Sequence, residues 1–204
     1  LGAAHDADAA QPHFAAGLQA MGVGKGDRVG LFLPNVPHYI AAYYGAMLAG
    51  ATVVNFSPLY TVEELAAQVA DSGTTILVTL DVSALLPTAL AVLECSSLER
   101  LIVGNVAEAL PLVKSLAYRL FKGNERHPLP AADARVTPWR ALLSHGDAPR
   151  EVPLDAMQDI ALLQYTGGTT GTPKGAMLTH QNLTANARQV RRLDPEWQTQ
   201  SDRI

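Results

Sequence analysis

The sequence predicts an α/β fold with a largely parallel sheet that is covered by helices. Three observations lead to this prediction. Short apolar runs alternate with helical patterns from Phe14 to Val103, glycine and proline separate these segments, and 48% of the 204 residues are hydrophobic while 17% are charged. Strands that alternate with helices are typical of parallel sheets with helices on their faces. The apolar content is sufficient for a folded core.

Each element of this alternating region has a local signal in the sequence. The predicted helices are Phe14–Ala20, Val36–Ala49, Thr61 to about Asp71, and Ala84–Leu93. The predicted strands are Arg28–Leu33, Ala51–Phe56, Ile76–Leu80 and Arg100–Val103. We expect Gly50 to end the second helix as its C′ residue, and Thr61 with Glu64 to form a capping box at the start of the third.

From Gly104 to Pro153 the alternation of strands and helices is predicted to stop, so we interpret this segment as a connector or insertion. It contains a predicted amphipathic helix, Ala107–Lys122, and a loop rich in proline and charge around Arg126–Pro130. Such a helix either packs on its own domain, which is the commoner arrangement, or lies on anionic lipid. Regular structure is expected to resume in residues 160–192, with a strand at Ile160–Tyr165.

Composition excludes several classes of function. The 15 lysines and arginines are outnumbered by 19 acidic residues, so no basic field is available for nucleic acid. The single cysteine, Cys95, cannot form an intrachain disulfide and is interpreted as a core or surface thiol, which favours the cytoplasm. No run approaches the roughly 20 apolar residues of a spanning helix. Because Leu1 stands where methionine is usual and no signal peptide follows, we expect the natural N-terminus to be missing.

The most distinctive chemistry lies between Tyr165 and Gly175, where eleven residues include four glycines, four threonines and one lysine. Glycines let backbone N–H groups approach an anion, threonine hydroxyls donate to phosphate oxygens, and lysine supplies a compensating charge. A surface turn is the simpler alternative. The density of hydroxyls and the lysine favour a loop that binds polyphosphate.

Two other nucleotide-binding motifs do not fit this loop. A Walker P-loop needs Ser or Thr after its lysine and then a helix, whereas Lys174 is followed by Gly175 and by the strand-like Ala176–Thr179. A Rossmann fingerprint needs G-x-G-x-x-G with a helix behind it, and that pattern is absent here.

The segment Gln164–Asn182 resembles the phosphate-binding signature of adenylate-forming enzymes, most closely that of bacterial long-chain fatty acyl-CoA synthetases. The usual core of that signature is Y-T-S-G-T-T-G-x-P-K-G, and Gly167 replaces its serine here. Three upstream segments also resemble this family in the correct order: Gly24–Val29, Leu33–Asn35 and Ala49–Asn55. The resemblance covers about Phe14–Asn186, with a poorly matched middle.

This resemblance implies that residues 1–204 are the incomplete N-terminal part of the adenylate-forming fold, without its C-terminal domain. The implied function is ATP-dependent activation of a long-chain fatty acid to acyl-CoA through an acyl-adenylate, with ATP, Mg²⁺ and coenzyme A. Other acid–CoA ligases, for aryl or medium-chain acids, remain as an alternative. A non-catalytic nucleotide-binding module and a structural α/β domain are two further alternatives.

The resemblance also assigns roles to the residues of the loop. Lys174 is the expected catalytic residue, since it would stabilise charge on the departing pyrophosphate. The implied nucleotide-binding residues are Thr166, Gly167, Gly168, Thr169, Thr170, Gly171, Thr172, Lys174 and Gly175.

No metal ligand is assigned in this chain, because the family's Mg²⁺, ribose and C-terminal lysine motifs are expected after Ile204. The isolated chain is therefore expected to be inactive. It is also expected to self-associate, because the strands that should continue the sheet after a predicted helix, Gln181–Arg192, are expected to be missing. A strand edge would then stay open to another chain.

Residues around the loop have simpler interpretations. His180 and Asn182 are expected to cap the last helix rather than to take part in catalysis. Tyr165 either borders the nucleotide or packs on the sheet. Trp139 and Trp197 carry no readable functional signal.

Overall fold

The computed structural model describes residues 2–106, 127–130, 133–145, 148–166 and 173–193. Its helices are α1 (Gly2–Ala20), α2 (Pro37–Leu48), α3 (Val62–Ser72), α4 (Leu86–Cys95), α5 (Trp139–Leu143) and α6 (His180–Leu193). Its strands are β1 (Arg28–Leu31), β2 (Thr52–Asn55), β3 (Ile76–Leu80), β4 (Arg100–Gly104), β5 (Val136–Pro138), β6 (Ile160–Thr166) and β7 (Lys174–Thr179). The predicted helix Ala107–Lys122 and the loop residues Gly167–Thr172 lie outside these ranges.

The described strands form one seven-stranded sheet in the order β5-β4-β3-β1-β2-β6-β7. Every neighbouring pair is parallel except β6 and β7, which are antiparallel. The central strand β1 contributes Val29 and Leu31, both of which are fully buried. Burial on both faces accounts for the apolar composition of these strands. The predicted α/β class with a largely parallel sheet is confirmed.

The direction of the crossovers separates the helices into two layers. The chain passes from β1 through α2 to β2 on one side, and from β2 through α3 back across β1 to β3 on the other. Since crossovers between parallel strands are right-handed, opposite directions of travel place α2 and α3 on opposite faces of the sheet. The packing agrees, because α1 contacts α2 and α5, whereas α3 contacts α4.

Local signals in the sequence locate several element boundaries. β3 occupies Ile76–Leu80, as predicted. The capping box of α3 is also confirmed, because the Thr61 backbone N–H donates to Glu64 Oε2 at 2.9 Å and the Glu64 N–H donates to Thr61 Oγ1 at 3.3 Å. Gly50 has φ of +88° after the end of α2, a conformation that glycine adopts without a Cβ clash.

Two expectations are wrong. Helix α1 begins at Gly2 rather than near Phe14, and it accommodates Pro12 inside the helix. The sheet also continues within the segment Gly104–Pro153, where no strand was predicted. There β5 pairs in parallel with β4, with Leu101 opposite Val136. Three residues carry too little periodicity to be recognised as a strand, and only pairing with β4 defines them.

Trp139 contributes to the core beside α1 and α2, although its sequence neighbourhood is polar. Its side chain is 5% exposed, and its ring lies 4.7 Å from that of Phe14 and 4.9 Å from that of His38. Burial lowers the pKa of His38 to about 4, although the charge of Asp81 acts in the other direction. His38 is therefore a neutral core residue at physiological pH. No described helix is both long and apolar enough to cross a membrane.

Candidate functional site

The loop predicted to bind phosphate leaves the sheet at the carboxyl end of β6. Leu31 of β1 lies opposite Asn55 of β2, and Asn55 lies opposite Gln164 of β6, so these three strands end at the same edge. We name this the carboxyl edge. The connections after β1 and β2 diverge to opposite faces here, and ligands of open α/β sheets bind in the crevice that such a divergence creates.

A cavity of about 210 Å³ occupies the carboxyl edge. It is lined by Asn35, Tyr39, Asn55, Phe56, Ser57, Tyr60, Gln164 and Tyr165. All of these side chains are neutral, and most carry a hydroxyl or amide group. The lining therefore offers hydrogen bonds to a polar ligand without a strong charge of its own.

Hydrogen bonds connect three of these residues across the strands. Tyr39 Oη donates to Asn55 Oδ1 at 3.1 Å, and Asn55 Nδ2 donates to Gln164 Oε1 at 2.9 Å. Burial raises the pKa of Tyr39, so its hydroxyl keeps the proton that it donates. This network is not among the features predicted from the sequence. The available signal was a polar residue near the end of an apolar strand in both β2 and β6.

The two described ends of the glycine- and threonine-rich loop face each other across the β6–β7 hairpin. Thr166 is the last residue of β6, Lys174 is the first residue of β7, and the two are register partners. Thr166 Oγ1 lies 3.5 Å from the Lys174 carbonyl oxygen, and both residues are exposed. Of the predicted binding residues, Thr166, Lys174 and Gly175 are thus described, while the others fall within 167–172.

The residues at these ends have the chemistry that a polyphosphate requires. One supplies a hydroxyl and the other an ammonium group, and no ion pair is described between Lys174 and a carboxylate within the structurally described ranges. An exposed ammonium without a bound carboxylate remains available to phosphate oxygens. A metal ion has no comparable site among the described residues, because they contain no group of three or more His, Cys, Asp or Glu side chains that could hold it.

Tyr165 packs on the sheet immediately before the loop. It is 7% exposed, its ring stacks on that of Phe56 with centroids 6.3 Å apart, and its hydroxyl donates to Asp71 Oδ2 at 2.5 Å. Burial and the neighbouring Asp71 carboxylate raise the pKa of Tyr165. Tyr165 also lines the cavity, so the two sequence-based interpretations, bordering a ligand and packing on the sheet, are compatible.

The start of α6 is capped by Thr179, which is not among the capping residues predicted from the sequence. Asn182 Oδ1 accepts from the Thr179 N–H at 3.0 Å, and Thr179 Oγ1 accepts from the Asn182 N–H at 3.2 Å. This reciprocal pair makes Thr179 the N-cap of α6. Asn182 takes part in the cap as expected, whereas His180 is the first residue of the helix.

A larger groove, of about 440 Å³, lies on the other side of Tyr165 and extends toward the amino ends of the strands. Its wall includes Lys25 and Asp159, whose side chains form an ion pair at 2.6 Å. The hydrogen bond from Lys25 is the main cause of the lowered pKa of Asp159. The carboxyl edge is the better candidate for a ligand site, because the glycine- and threonine-rich loop leaves β6 and enters β7 there.

Known proteins of one family resemble this chain over most of its length. Residues 5–204 match the family described as AMP-binding enzyme. A long-chain-fatty-acid–CoA ligase of Bacillus subtilis is 40% identical over 174 residues, covering 84% of this chain and 31% of that protein. A 4-coumarate–CoA ligase of Oryza sativa is 32% identical over 185 residues, covering 91% of this chain and 29% of that protein.

Among solved structures, a long-chain-fatty-acid-CoA ligase from Archaeoglobus fulgidus matches with a TM-score of 0.68 at 31% identity, covering 89% of this chain and 31% of that chain. The present sequence therefore spans about a third of the length of these relatives. Because the family match covers nearly every residue, this chain belongs to the AMP-binding enzyme family.

Proposed function

We propose that the protein carrying this sequence is an AMP-forming ligase that converts a long-chain fatty acid to its coenzyme A thioester. The observation that carries the proposal is the hairpin that places Thr166 and Lys174 opposite each other at the carboxyl edge, at the two ends of the glycine- and threonine-rich loop. The 40% identity to a long-chain-fatty-acid–CoA ligase supports the choice of substrate class.

In the proposed first step, a carboxylate oxygen of the fatty acid attacks the α-phosphorus of ATP, and pyrophosphate leaves with the electron pair of the broken P–O bond. Negative charge grows on the leaving group, where the Lys174 ammonium and the Thr166 hydroxyl would stabilise it. The loop glycines would give backbone N–H groups access to the phosphates. In the second step, the thiol of coenzyme A loses its proton to solvent and attacks the acyl carbonyl carbon, and AMP leaves with the electron pair of the broken C–O bond.

Mg²⁺ bound to ATP would neutralise part of the phosphate charge in this reaction. The described residues provide no cluster of side chains to hold it. We therefore assign no Mg²⁺ ligand in this chain, and the proposal for the loop depends only on its own hydroxyl, ammonium and backbone groups.

Substrate-dependent exchange between ATP and labelled pyrophosphate tests this proposal in the natural protein that carries the sequence. We expect exchange with palmitate and other long-chain acids, and weaker exchange with decanoate, 4-coumarate and benzoate. Faster exchange with 4-coumarate would favour the aryl acid ligase, the second candidate, which the 32% identity to a 4-coumarate–CoA ligase supports. ATP binding without exchange for any acid would favour a non-catalytic nucleotide-binding module.

For the 204-residue chain by itself we propose weak ATP binding without formation of acyl-CoA. The reason is that we assign no Mg²⁺ ligand in this chain, and without such ligands the ATP–Mg²⁺ complex is not oriented for in-line attack. Loss of this orientation removes about 7–11 kcal/mol of catalytic advantage. Thioester formation by the purified chain, above a Lys174→Ala control, would contradict this expectation.

Self-association of this chain is a second proposal about its behaviour in isolation. Among the described strands β7 lies at the edge of the sheet, and Met177 on it is 65% exposed. Leu193 at the end of α6 is 86% exposed. An unpaired strand edge beside exposed apolar side chains favours association. Sedimentation velocity should show dimers or larger species, and a monomer at all concentrations would contradict the proposal.

We further propose a cytoplasmic protein with peripheral contact to the membrane. The exposed free thiol of Cys95 supports a reducing compartment. Membrane contact would involve the basic residues of the segment Ala107–Lys122, which lies outside the described residues. Sedimentation with anionic vesicles should decrease when Lys114, Arg119 and Lys122 are changed to glutamate, and equal sedimentation would remove the membrane contact from the proposal.

A further inference from the structure

Tyr165 is held on three sides just before the loop begins. Phe56 stacks on one face of its ring. On β7, Gly175 has no side chain, and the ring of Tyr165 lies over it, since the position that a Cβ would take there is 3.4 Å from Tyr165 Cζ. The hydroxyl reaches α3, where it donates to Asp71 Oδ2 at 2.5 Å and lies 3.4 Å from the carbonyl oxygen of Gln68.

This arrangement places one side chain beside both ends of the loop. Tyr165 directly precedes Thr166, and its register partner Gly175 directly follows Lys174. If the Tyr165 ring moved, Tyr165 and Gly175 would shift with it. Thr166 and Lys174, which are their direct neighbours in the chain, would then change position too. Since β7 has β6 as its only partner among the described strands, little else described there holds this end of the hairpin.

The bond to Asp71 is the strongest of the three contacts in physical terms. A hydrogen bond from a neutral hydroxyl to a carboxylate is shorter and stronger than one between two neutral groups. It also joins residues 94 positions apart, so it connects the end of β6 to α3, whose Leu65 and Val69 are buried in the core. Burial keeps the phenol protonated, and the donor is therefore retained at neutral pH.

We infer that Tyr165 and Asp71 are positioning residues that align the two ends of the phosphate loop for adenylation. This inference rests on the proposed function. It assigns no contact with substrate to either residue. They act through Thr166 and Lys174, whose placement relative to the phosphates determines how well they stabilise the leaving pyrophosphate.

The test compares Tyr165→Phe, Asp71→Ala, their double variant and Asp71→Asn in the natural protein. Phenylalanine keeps the ring contacts and removes only the donor, while asparagine keeps an oxygen acceptor at position 71. Glu63→Ala is the matched control, because Glu63 is an exposed carboxylate on the same helix. The readouts are pyrophosphate exchange with separate KM values for ATP and fatty acid, direct ATP titration and thermal unfolding.

We expect Tyr165→Phe and Asp71→Ala each to slow exchange on the order of tenfold and to raise the KM for ATP, with the KM for fatty acid unchanged. The double variant should be no slower than either single variant, because both remove one hydrogen bond. Asp71→Asn should recover most of the rate, and Glu63→Ala should match the wild type. A purely structural role would instead lower the melting temperature while leaving the ratio of the two KM values unchanged.

Three results would overturn the inference: wild-type exchange by Tyr165→Phe and Asp71→Ala, additive losses in the double variant, or equal changes in both KM values. A wild-type protein without any exchange would overturn the proposed function instead. In that case ATP titration still decides the inference, since weaker binding by Tyr165→Phe would support it and unchanged binding would overturn it.

Discussion

Replacement of Lys174 by alanine is the most direct test of the candidate site. Lys174 is exposed at the start of β7, and no ion pair of its side chain is described within the structure's described ranges. Its removal should therefore change the free energy of unfolding by less than about 0.5 kcal/mol. Loss of one preorganised donor to a developing anion typically slows a reaction by roughly 100- to 1,000-fold, or about 3–4 kcal/mol. We expect an effect of that size on adenylation.

The assay is exchange of labelled pyrophosphate into ATP in the presence of fatty acid, with fatty-acid affinity measured separately. Exchange should fall while the affinity for fatty acid stays the same, because Lys174 would act on the charge of the leaving group. Lys25→Ala is the control. Lys25 is also an exposed lysine, but it lies before β1 and its side chain forms an ion pair with Asp159. An unchanged exchange rate in Lys174→Ala, or an equal loss in Lys25→Ala, would refute the assigned role.

Three further predictions concern stability and can be measured by urea or thermal unfolding. The pKa of His38 is lowered to about 4, so the unfolded state binds more protons than the folded state below pH 6.5. Between pH 7 and 4 the free energy of unfolding of wild type should therefore fall by up to about 3 kcal/mol relative to that of His38→Gln. A difference that does not depend on pH, or one that the exposed His13→Gln variant reproduces, would contradict this. Gly30→Ala should destabilise by about 1–3 kcal/mol, because its Cβ would lie 2.5 Å from Phe56 Cε2, and an unchanged melting temperature would count against the packing described. Thr61→Ala should cost about 1 kcal/mol through loss of the capping box, whereas Thr61→Ser should cost less; equal losses would argue against the cap.

Short-range features of this protein could be predicted from the sequence because their causes lie within a few residues. The Thr61–Glu64 capping box, the left-handed Gly50 and the bounds of β3 all depend on neighbouring side chains or on one residue's backbone freedom. The class of the sheet follows from the repeated alternation of apolar strands and helices. The polyphosphate ligand of the loop stays a prediction, which depends on glycines, hydroxyls and a lysine within eleven residues.

The contacts that organise the site depend on residues far apart in the chain, and only the tertiary structure shows them. Asn55 and Gln164 meet because β2 and β6 are neighbours, although 109 positions separate them. Tyr165 reaches Asp71 because α3 packs against the face of the sheet that its side chain occupies. Local sequence carries no information about such partners, because hydrophobic periodicity specifies which face is buried but not which element covers it. The hydrogen bond from Tyr165 to Asp71 is therefore a property of the packed sheet and helices.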